Sequence, residues 1–175
     1  MTAIFPHPSK QFHNSSSWQT VLVLVLAFWL SSTVLIDGLV MPSLYAGGIL
    51  TEPGFAPTGY ALFWILNRVE LLCAALVLTS VLVLRYTRSP LNRPGLGTLL
   101  LASLLVAIAL IDTYALTPTM SALGLCLNWF SNHADTPAGM DQLHLSYWLL
   151  DLVKVAAGGM LLWLHNRATS LISQE

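Results

Sequence analysis

Six ionisable side chains lie within or at the edge of long apolar stretches of this sequence: Asp37, Arg68, Glu70, Asp112, Asp151 and Lys154. A charged group in hydrocarbon costs several kcal/mol, so such groups face the interior of a helix bundle and pair with one another. The set holds four acids and two bases, which leaves two acids without a basic partner. We expect those two acids to be protonated, to share a proton or to hold a cation.

Four further polar side chains accompany this set: Asn67, Tyr114, His144 and Tyr147. His144 and Tyr147 precede Asp151 and Lys154 at the spacing i, i+3, i+7 and i+10, which places all four on one helical face. Asn67 stands three residues before Glu70, which again places both on one helical face. The sequence therefore predicts a buried polar centre to which several helices contribute.

Four apolar runs are long enough to carry these residues across a membrane: Trp18–Ile36, Tyr60–Leu84, Leu96–Leu116 and Leu143–Leu164. About 20 residues of helix cross the roughly 30 Å of bilayer hydrocarbon. Of all residues, 55% are hydrophobic and 9% are charged, where a soluble domain carries about a quarter charged residues. The sequence predicts an all-α integral membrane protein, a four-transmembrane-helix bundle. The first run is expected to be a mature helix, because no cleavage site of small residues follows it.

Positive charges set the expected orientation and the domain boundaries. Lys10, Arg85, Arg88, Arg93 and Arg167 flank one side of the runs, whereas the other two connections hold only acids. The positive-inside rule then places both termini in the cytoplasm and the longer loops on the opposite face. We expect a polar N-terminal segment at 1–17, a four-helix membrane domain at 18–166 and a short tail at 167–175. Counted along each helix, the buried charges fall in the half away from the cytoplasm.

Two connections lie on the face opposite the arginines. The first starts at Pro42, which is expected to kink or end the first helix. The second follows the third run, which ends at about Leu116; this connection, "TPTMSALGLCLNWFSNHADTPAGMDQ", is apolar in its first half and is expected to lie on the membrane surface or against the bundle.

Several function classes lack support in the sequence. The net charge of −1 gives no basic footprint for nucleic acid. The two cysteines form no CxxC pair, and no metal-ligand spacing appears. Motifs of nucleotide-binding loops, dinucleotide folds, serine hydrolases and zinc proteases are missing. We leave enzymatic activity open and favour its absence. No second histidine lies deep in a run, so haem is not favoured, and we identify no internal repeat.

Three stretches resemble a family of small four-helix membrane proteins from cyanobacteria that carry a domain of unknown function: "IDGLVMPSLYAGGILTEPGFAPTGYALFWILNRVELLCAALVL", "LIDTYALTPTMSALG" and "MDQLHLSYWLLDLVKVAAGG". That family is loosely similar to membrane proteins of the copper-resistance-D type. The resemblance implies the thylakoid or plasma membrane of a cyanobacterium and a photosynthetic context. It brings no chemistry that can be assigned to particular residues.

These observations lead to a ranked set of functions. The first is a non-catalytic accessory or assembly subunit of a larger membrane complex, photosystem-associated, with other membrane subunits and lipid as partners. Chlorophyll or carotenoid would be its cofactor, and Glu70, Asn67 or His144 would ligate a chlorophyll magnesium. The alternative is a small protein that handles protons or cations through a buried acidic cluster, and the third is a lipid- or quinone-binding enzyme. A structural ion-pair network that fixes helix register weighs equally with any functional site.

Overall fold

The computed structural model describes residues 9–48, 55–88, 93–130 and 139–172. Within these ranges the chain is helical and contains no strand, which confirms the predicted all-α class. The α-helices are α1 Ser9–Leu35, α2 Met41–Ala46, α3 Phe55–Thr87, α4 Leu96–Ile111, α5 Thr117–Phe130 and α6 Met140–Ile172. Helix α1 therefore begins inside the N-terminal segment that was expected to precede the membrane domain.

Four helical stretches are long and apolar enough to cross a membrane: Ser17–Leu44, Pro57–Thr87, Leu96–Leu123 and Gln142–Arg167. We refer to them in this order as the first to the fourth span. They coincide with the four apolar runs of the sequence and indicate a multi-pass membrane protein. The insertion of the bundle into a bilayer and the side on which its termini lie stay predictions.

Two π-helical segments lie inside the first and third spans. One is Ile36–Val40, between α1 and α2, and the other is Asp112–Leu116, between α4 and α5. The first helix was expected to kink or end at Pro42, and the third was expected to end near Leu116. Neither end is observed, because the chain stays helical to Ala46 and to Phe130. A proline ring crowds the carbonyl four residues earlier and offers no N–H to it. The wider π turn, which bonds five residues back, takes up this conflict without ending the helix.

The spans pack around a ring in chain order. Each span contacts the next one, and the first also contacts the fourth. One half of the ring interior, towards Arg85 and Leu96, is filled by apolar side chains that are almost completely buried: Leu22, Leu26, Val77, Val81, Leu84, Leu105 and Leu161. We call this half the arginine end. Its dense packing leaves the polar residues to the other half of the bundle.

A glycine allows the first and fourth spans to approach each other. A Cβ atom added to Gly158 would lie 2.7 Å from Cδ2 of Leu30, so this position takes the leucine side chain from the facing helix. Gly159, its neighbour, has no such contact within 4 Å. Small residues serve this purpose widely in membrane helices, where close packing replaces the hydrophobic effect as the force that joins them.

The outward surface of the spans is apolar. Leu72 on the second span and Leu152 on the fourth are 66% and 67% exposed, and many other large apolar side chains share this orientation. A surface of this composition suits contact with lipid acyl chains. The bundle therefore has polar residues in one half of its interior and an apolar outer surface.

Candidate functional site

A lysine occupies the centre of the polar half of the bundle. Lys154 is completely buried, and its Nζ lies 2.7 Å from Oε2 of Glu70, 2.7 Å from Oδ1 of Asp151 and 3.3 Å from Oδ2 of Asp112. These carboxylates come from the second, fourth and third spans. The ion pair with Glu70 crosses the ring, because the second and fourth spans are not neighbours in the ring order. We call Lys154, Glu70, Asp112 and Asp151 the lysine cluster.

Asp37 on the first span stands at the edge of the lysine cluster. Its carboxyl lies close enough to that of Asp151 for the two groups to interact electrostatically. Among the described residues no base lies within the 4.0 Å of an ion pair from Asp37. Two carboxyl groups can share a hydrogen bond only when one of them holds a proton. A proton on one of these two carboxyl groups, or a cation beside them, would relieve the repulsion between the first and fourth spans.

Hydroxyl and amide groups hold the cluster in position. The hydroxyl of Thr33 lies 3.1 Å from Oε1 of Glu70 and 3.1 Å from the backbone carbonyl oxygen of Trp29, so these two acceptors share its single proton. Asn67 donates from Nδ2 to the backbone carbonyl of Asp112 at 3.3 Å and to Oγ1 of Thr117. These bonds tie the second span to the second π segment. They orient Asp112 through its backbone and leave its carboxylate directed at the lysine.

Both π segments coincide with acids of the site. Asp37 is the second residue of the first segment, and Asp112 is the first residue of the second segment. Single π turns inside α-helices occur frequently at functional sites, since they shift side chains out of the regular helical register. Pro42 and Pro118 follow within α2 and α5. Pro42 was expected to kink or end the first helix, and neither π segment was predicted from the sequence.

A cavity of about 80 Å³ opens beside the cluster, among the first, second and fourth spans. Two acids, Asp37 and Glu70, reach it together with the hydroxyl-bearing Ser32 and Thr33. Four aromatic side chains line it, Phe28, Trp29, Phe63 and Tyr147. The rings of Phe63 and Tyr147 meet edge to face with 5.8 Å between their centroids. The cavity is thus a small aromatic compartment with carboxyl groups at one end.

Several buried side-chain atoms of the described residues have no hydrogen-bond partner: Nε1 of Trp29, Oδ1 of Asn67, both carboxylate oxygens of Asp112 and Oδ2 of Asp151. Of these side chains only Trp29 lines the cavity. Buried polar groups are nearly always paired, so the indole N–H of Trp29 indicates a place for a bound species there.

Three residues of the predicted site do not join the cluster. Arg68 is exposed and stacks its guanidinium over the ring of Trp64, 4.0 Å from the centroid, so its placement among the buried charges is corrected. Tyr114 is 64% exposed and does not support Asp112. His144 is also exposed, on the face that leads to Tyr147. The site therefore contains four acids and one base rather than two bases.

The predicted pigment ligands have other surroundings. Glu70 is bound by Lys154 and Thr33, and the amide nitrogen of Asn67 is bound by backbone and hydroxyl oxygens. His144 lies on the surface. In the described residues no group of three or more histidine, cysteine, aspartate or glutamate side chains is arranged to hold a metal ion.

The second and fourth spans share a sequence pattern, and so do the first and third spans. "FWILNRVE" in the second span aligns with "YWLLDLVK" in the fourth, and "LIDGLVMP" in the first aligns with "LIDTYALTP" in the third. In this alignment Asp37 corresponds to Asp112, and Glu70 corresponds to Lys154. The sequence analysis identified no internal repeat, and these short alignments modify that expectation. They relate the hairpin of the first and second spans to the hairpin of the third and fourth.

The contacts of the two hairpins match the repeat. Asn67 corresponds to Asp151, and each of them meets the acid-bearing π segment of the other hairpin: Asn67 bonds the backbone of Asp112, and Asp151 faces Asp37. Buried positions also correspond, since Cys73 and Ala74 align with Ala157 and Gly158. The two halves thus bury the same helical faces around one shared centre.

No protein-family model, no curated protein and no solved structure matches this chain. The family resemblance, the cyanobacterial membrane and the photosynthetic context therefore stay predictions. What the site can do must be argued from its own geometry.

Proposed function

We propose that this protein is a small membrane protein that takes up and releases protons, or exchanges them for a cation, at the lysine cluster and Asp37. The observation that carries the proposal is the surplus of carboxyl groups around one buried ammonium. Glu70, Asp112 and Asp151 contact Lys154 and Asp37 adjoins them. If all five groups were ionised, three negative charges would remain uncompensated in an interior of low dielectric.

Such a surplus is relieved by protons or by a bound cation. Neutralisation of a carboxyl is the usual response when desolvation is not balanced by a charged partner. Lys154 donates hydrogen bonds of 2.7 Å to Glu70 and Asp151 and forms an ion pair of 3.3 Å with Asp112, so it is the fixed charge of the site. Asp37, at the edge and in contact with the cavity, is the group from which a proton can leave.

Within the described residues, one end of the bundle is closed to the site. The arginine end is closed by side chains such as Leu26, Val77 and Leu161, each almost completely buried. The cavity and Asp37 lie beyond this plug. If the arginine end faces the cytoplasm, as the positive-inside rule predicts, exchange takes place towards the other face or through the side of the bundle. The π segments at Asp37 and Asp112 are the places where the helices can change register when the charge changes.

Infrared difference spectroscopy tests the proton directly. The purified protein in lipid nanodiscs would be compared at acidic and alkaline pH in the carbonyl stretching region of protonated carboxyl groups. We expect a band that titrates, that shifts in deuterated water and that disappears in Asp37→Asn. Arg68→Gln, which removes a charge outside the site, should keep it. The proposal fails if the variant Asp37→Asn has the same titrating band as the parent.

A flux measurement tests whether the proton crosses the membrane. Liposomes that contain the protein and a pH-sensitive dye would be given a potassium diffusion potential. Proton entry that is reduced in Asp112→Asn and Asp151→Asn, but not in Arg68→Gln, would assign translocation to the cluster. Equal entry in all variants and in empty liposomes would limit the function to binding and exchange at one face.

The accessory-subunit hypothesis rests on the family resemblance and stays a prediction. A native affinity purification, with mass spectrometry of the partners and an absorption spectrum of the eluate, tests it. Recovery with photosystem subunits and pigment would support it. Recovery of the protein alone, without pigment, would contradict it.

A further inference from the structure

We propose that the cavity beside Asp37 binds a lipophilic organic ammonium ion, which enters from the side of the bundle and displaces the proton held between Asp37 and Asp151. This inference rests on the proposed proton exchange and names the class of cation that takes part in it. It follows from the internal repeat, from the lining of the cavity and from the unpartnered polar atoms.

The alignment of the two hairpins shows that the first one has no counterpart of the Lys154 ammonium. In the second hairpin, the ammonium of Lys154 lies 3.3 Å from Asp112 and 2.7 Å from Asp151. In the first hairpin the residue that corresponds to Lys154 is Glu70, which brings another carboxyl towards Asp37 instead of a positive charge. One half of the site therefore has a built-in ammonium next to its aspartate, and the other half does not. The cavity lies in the half that lacks it.

The lining of the cavity suits an organic cation better than a hydrated metal ion. Phe28, Trp29, Phe63 and Tyr147 surround it, and aromatic faces attract ammonium groups through their negative quadrupole. The remaining wall is aliphatic, from Ile36, Leu66 and Val69. A cation with an apolar body would place its nitrogen at Asp37 and Glu70 and its hydrocarbon against these walls and the lipid.

The unpartnered atoms give independent support. Oδ2 of Asp151, on a side chain that is 9% exposed, has no hydrogen-bond partner among the described residues, so it can accept the proton of Asp37 before the exchange and an N–H of the ammonium ion after it. Nε1 of Trp29 lacks an acceptor at the same cavity. A ligand oxygen next to the ammonium nitrogen would accept a hydrogen bond from the indole N–H of Trp29. Amines that carry a neighbouring hydroxyl group should therefore bind more tightly than plain alkylamines.

The exchange conserves charge. An ammonium ion that enters the cavity adds one positive charge, and the proton shared by Asp37 and Asp151 leaves to water. The charged and titratable groups that face Asp37 are Asp151, Lys154 and Tyr147 from the fourth span and Glu70 from the second. Because Lys154 is fully engaged by its three carboxylates, the proton that leaves comes from the carboxyl pair.

Calorimetry with 4-phenylbutylammonium tests the inference. The protein in detergent micelles would be titrated in two buffers of different ionisation enthalpy, and the difference between the heats gives the number of protons released. We expect saturable binding with release of about one proton, no binding of the neutral 4-phenylbutanol, and a loss of affinity of about tenfold or more in Asp37→Asn. Arg68→Gln should bind as the parent does.

A second variant guards against misfolding of Asp37→Asn. Phe28→Leu removes one aromatic wall at a residue that is 56% exposed, so the fold should tolerate it, and it should weaken binding several-fold. Equal binding of the amine and the alcohol, or unchanged affinity in both variants, would overturn the inference. Absent amine binding beside a titrating carboxyl band would leave the proposed function intact and remove this ligand class. Amine binding without proton release would support the cation site and contradict proton handling at Asp37.

Discussion

Replacement of Lys154 by methionine tests the physical basis of the site. The side chain keeps its length and loses its charge, so three carboxylates within 3.3 Å of Nζ lose the buried counter-ion that they share. Removal of one partner from a buried ion pair typically costs about 3–5 kcal/mol, because the other partner is left uncompensated. Since the substitution abolishes both of the 2.7 Å ion pairs, we expect Lys154→Met to lie at the upper end of this range at neutral pH.

The loss should depend on pH in a defined direction. Without the ammonium, the folded variant is stable only when its carboxyl groups bind protons, so it binds more protons than the unfolded chain. Stability then falls as pH rises, since the slope follows the protons bound in the unfolded state minus those bound in the folded state. Acidic solution should therefore restore part of the stability of Lys154→Met, and the parent should show a weaker dependence in this direction.

The assay is unfolding in mixed detergent micelles, followed by circular dichroism at several pH values. Arg68→Met is the matched control, because it removes a basic side chain that stacks on Trp64 outside the cluster. We expect the control to change stability little at any pH. If both variants lost the same free energy of unfolding, or if the loss in Lys154→Met did not change with pH, Lys154 would not be the counter-ion of the buried carboxyl groups.

Two further predictions concern the helices that position the site. Gly158→Ala should destabilise the bundle by about 1 kcal/mol, because its Cβ would press on Leu30. Gly159→Ala, which has no atom within 4 Å of the added Cβ, should be neutral or stabilising in the same unfolding assay. Equal effects of the two substitutions would contradict the close packing at Gly158. Pro118→Ala should return an N–H to the helix and convert the segment Asp112–Leu116 towards α-helical hydrogen bonding, which slows its amide hydrogen exchange; unchanged exchange would show that the proline does not cause the π turn.

The fold was predictable because its signal is local. Length and apolar composition identify a span from its own residues, so all four spans were found. The π segments were not, because they depend on a balance between a proline and the contacts of the neighbouring helix. Asn67, for example, bonds the backbone of Asp112 only after the second and third spans have packed.

The sequence predicted how deep the site residues lie along their helices, but not the direction in which each side chain points. Arg68 was assigned to the cluster because it lies at the level of Glu70, yet two residues of helix rotate a side chain by roughly 200°. The same rotation separates Tyr114 from Asp112 and turns it outward, to 64% exposure. Residues three or four apart, such as Asn67 and Glu70, were placed correctly. Depth along a helix therefore has to be combined with angle around it before charges are assigned to one centre.

The repeat accounts for the asymmetry of the site. Two identical hairpins would bring the same residue to the centre from the second and fourth spans, and two glutamates or two lysines there would repel each other at low dielectric. The pair Glu70 and Lys154 instead forms an ion pair of 2.7 Å across the ring. That single difference joins the two hairpins, and it also leaves Asp37 without the ammonium that its counterpart Asp112 has. The ion pair across the ring and the carboxyl surplus at Asp37 are then two consequences of one sequence difference, so the structural and the functional interpretations of the cluster do not exclude each other.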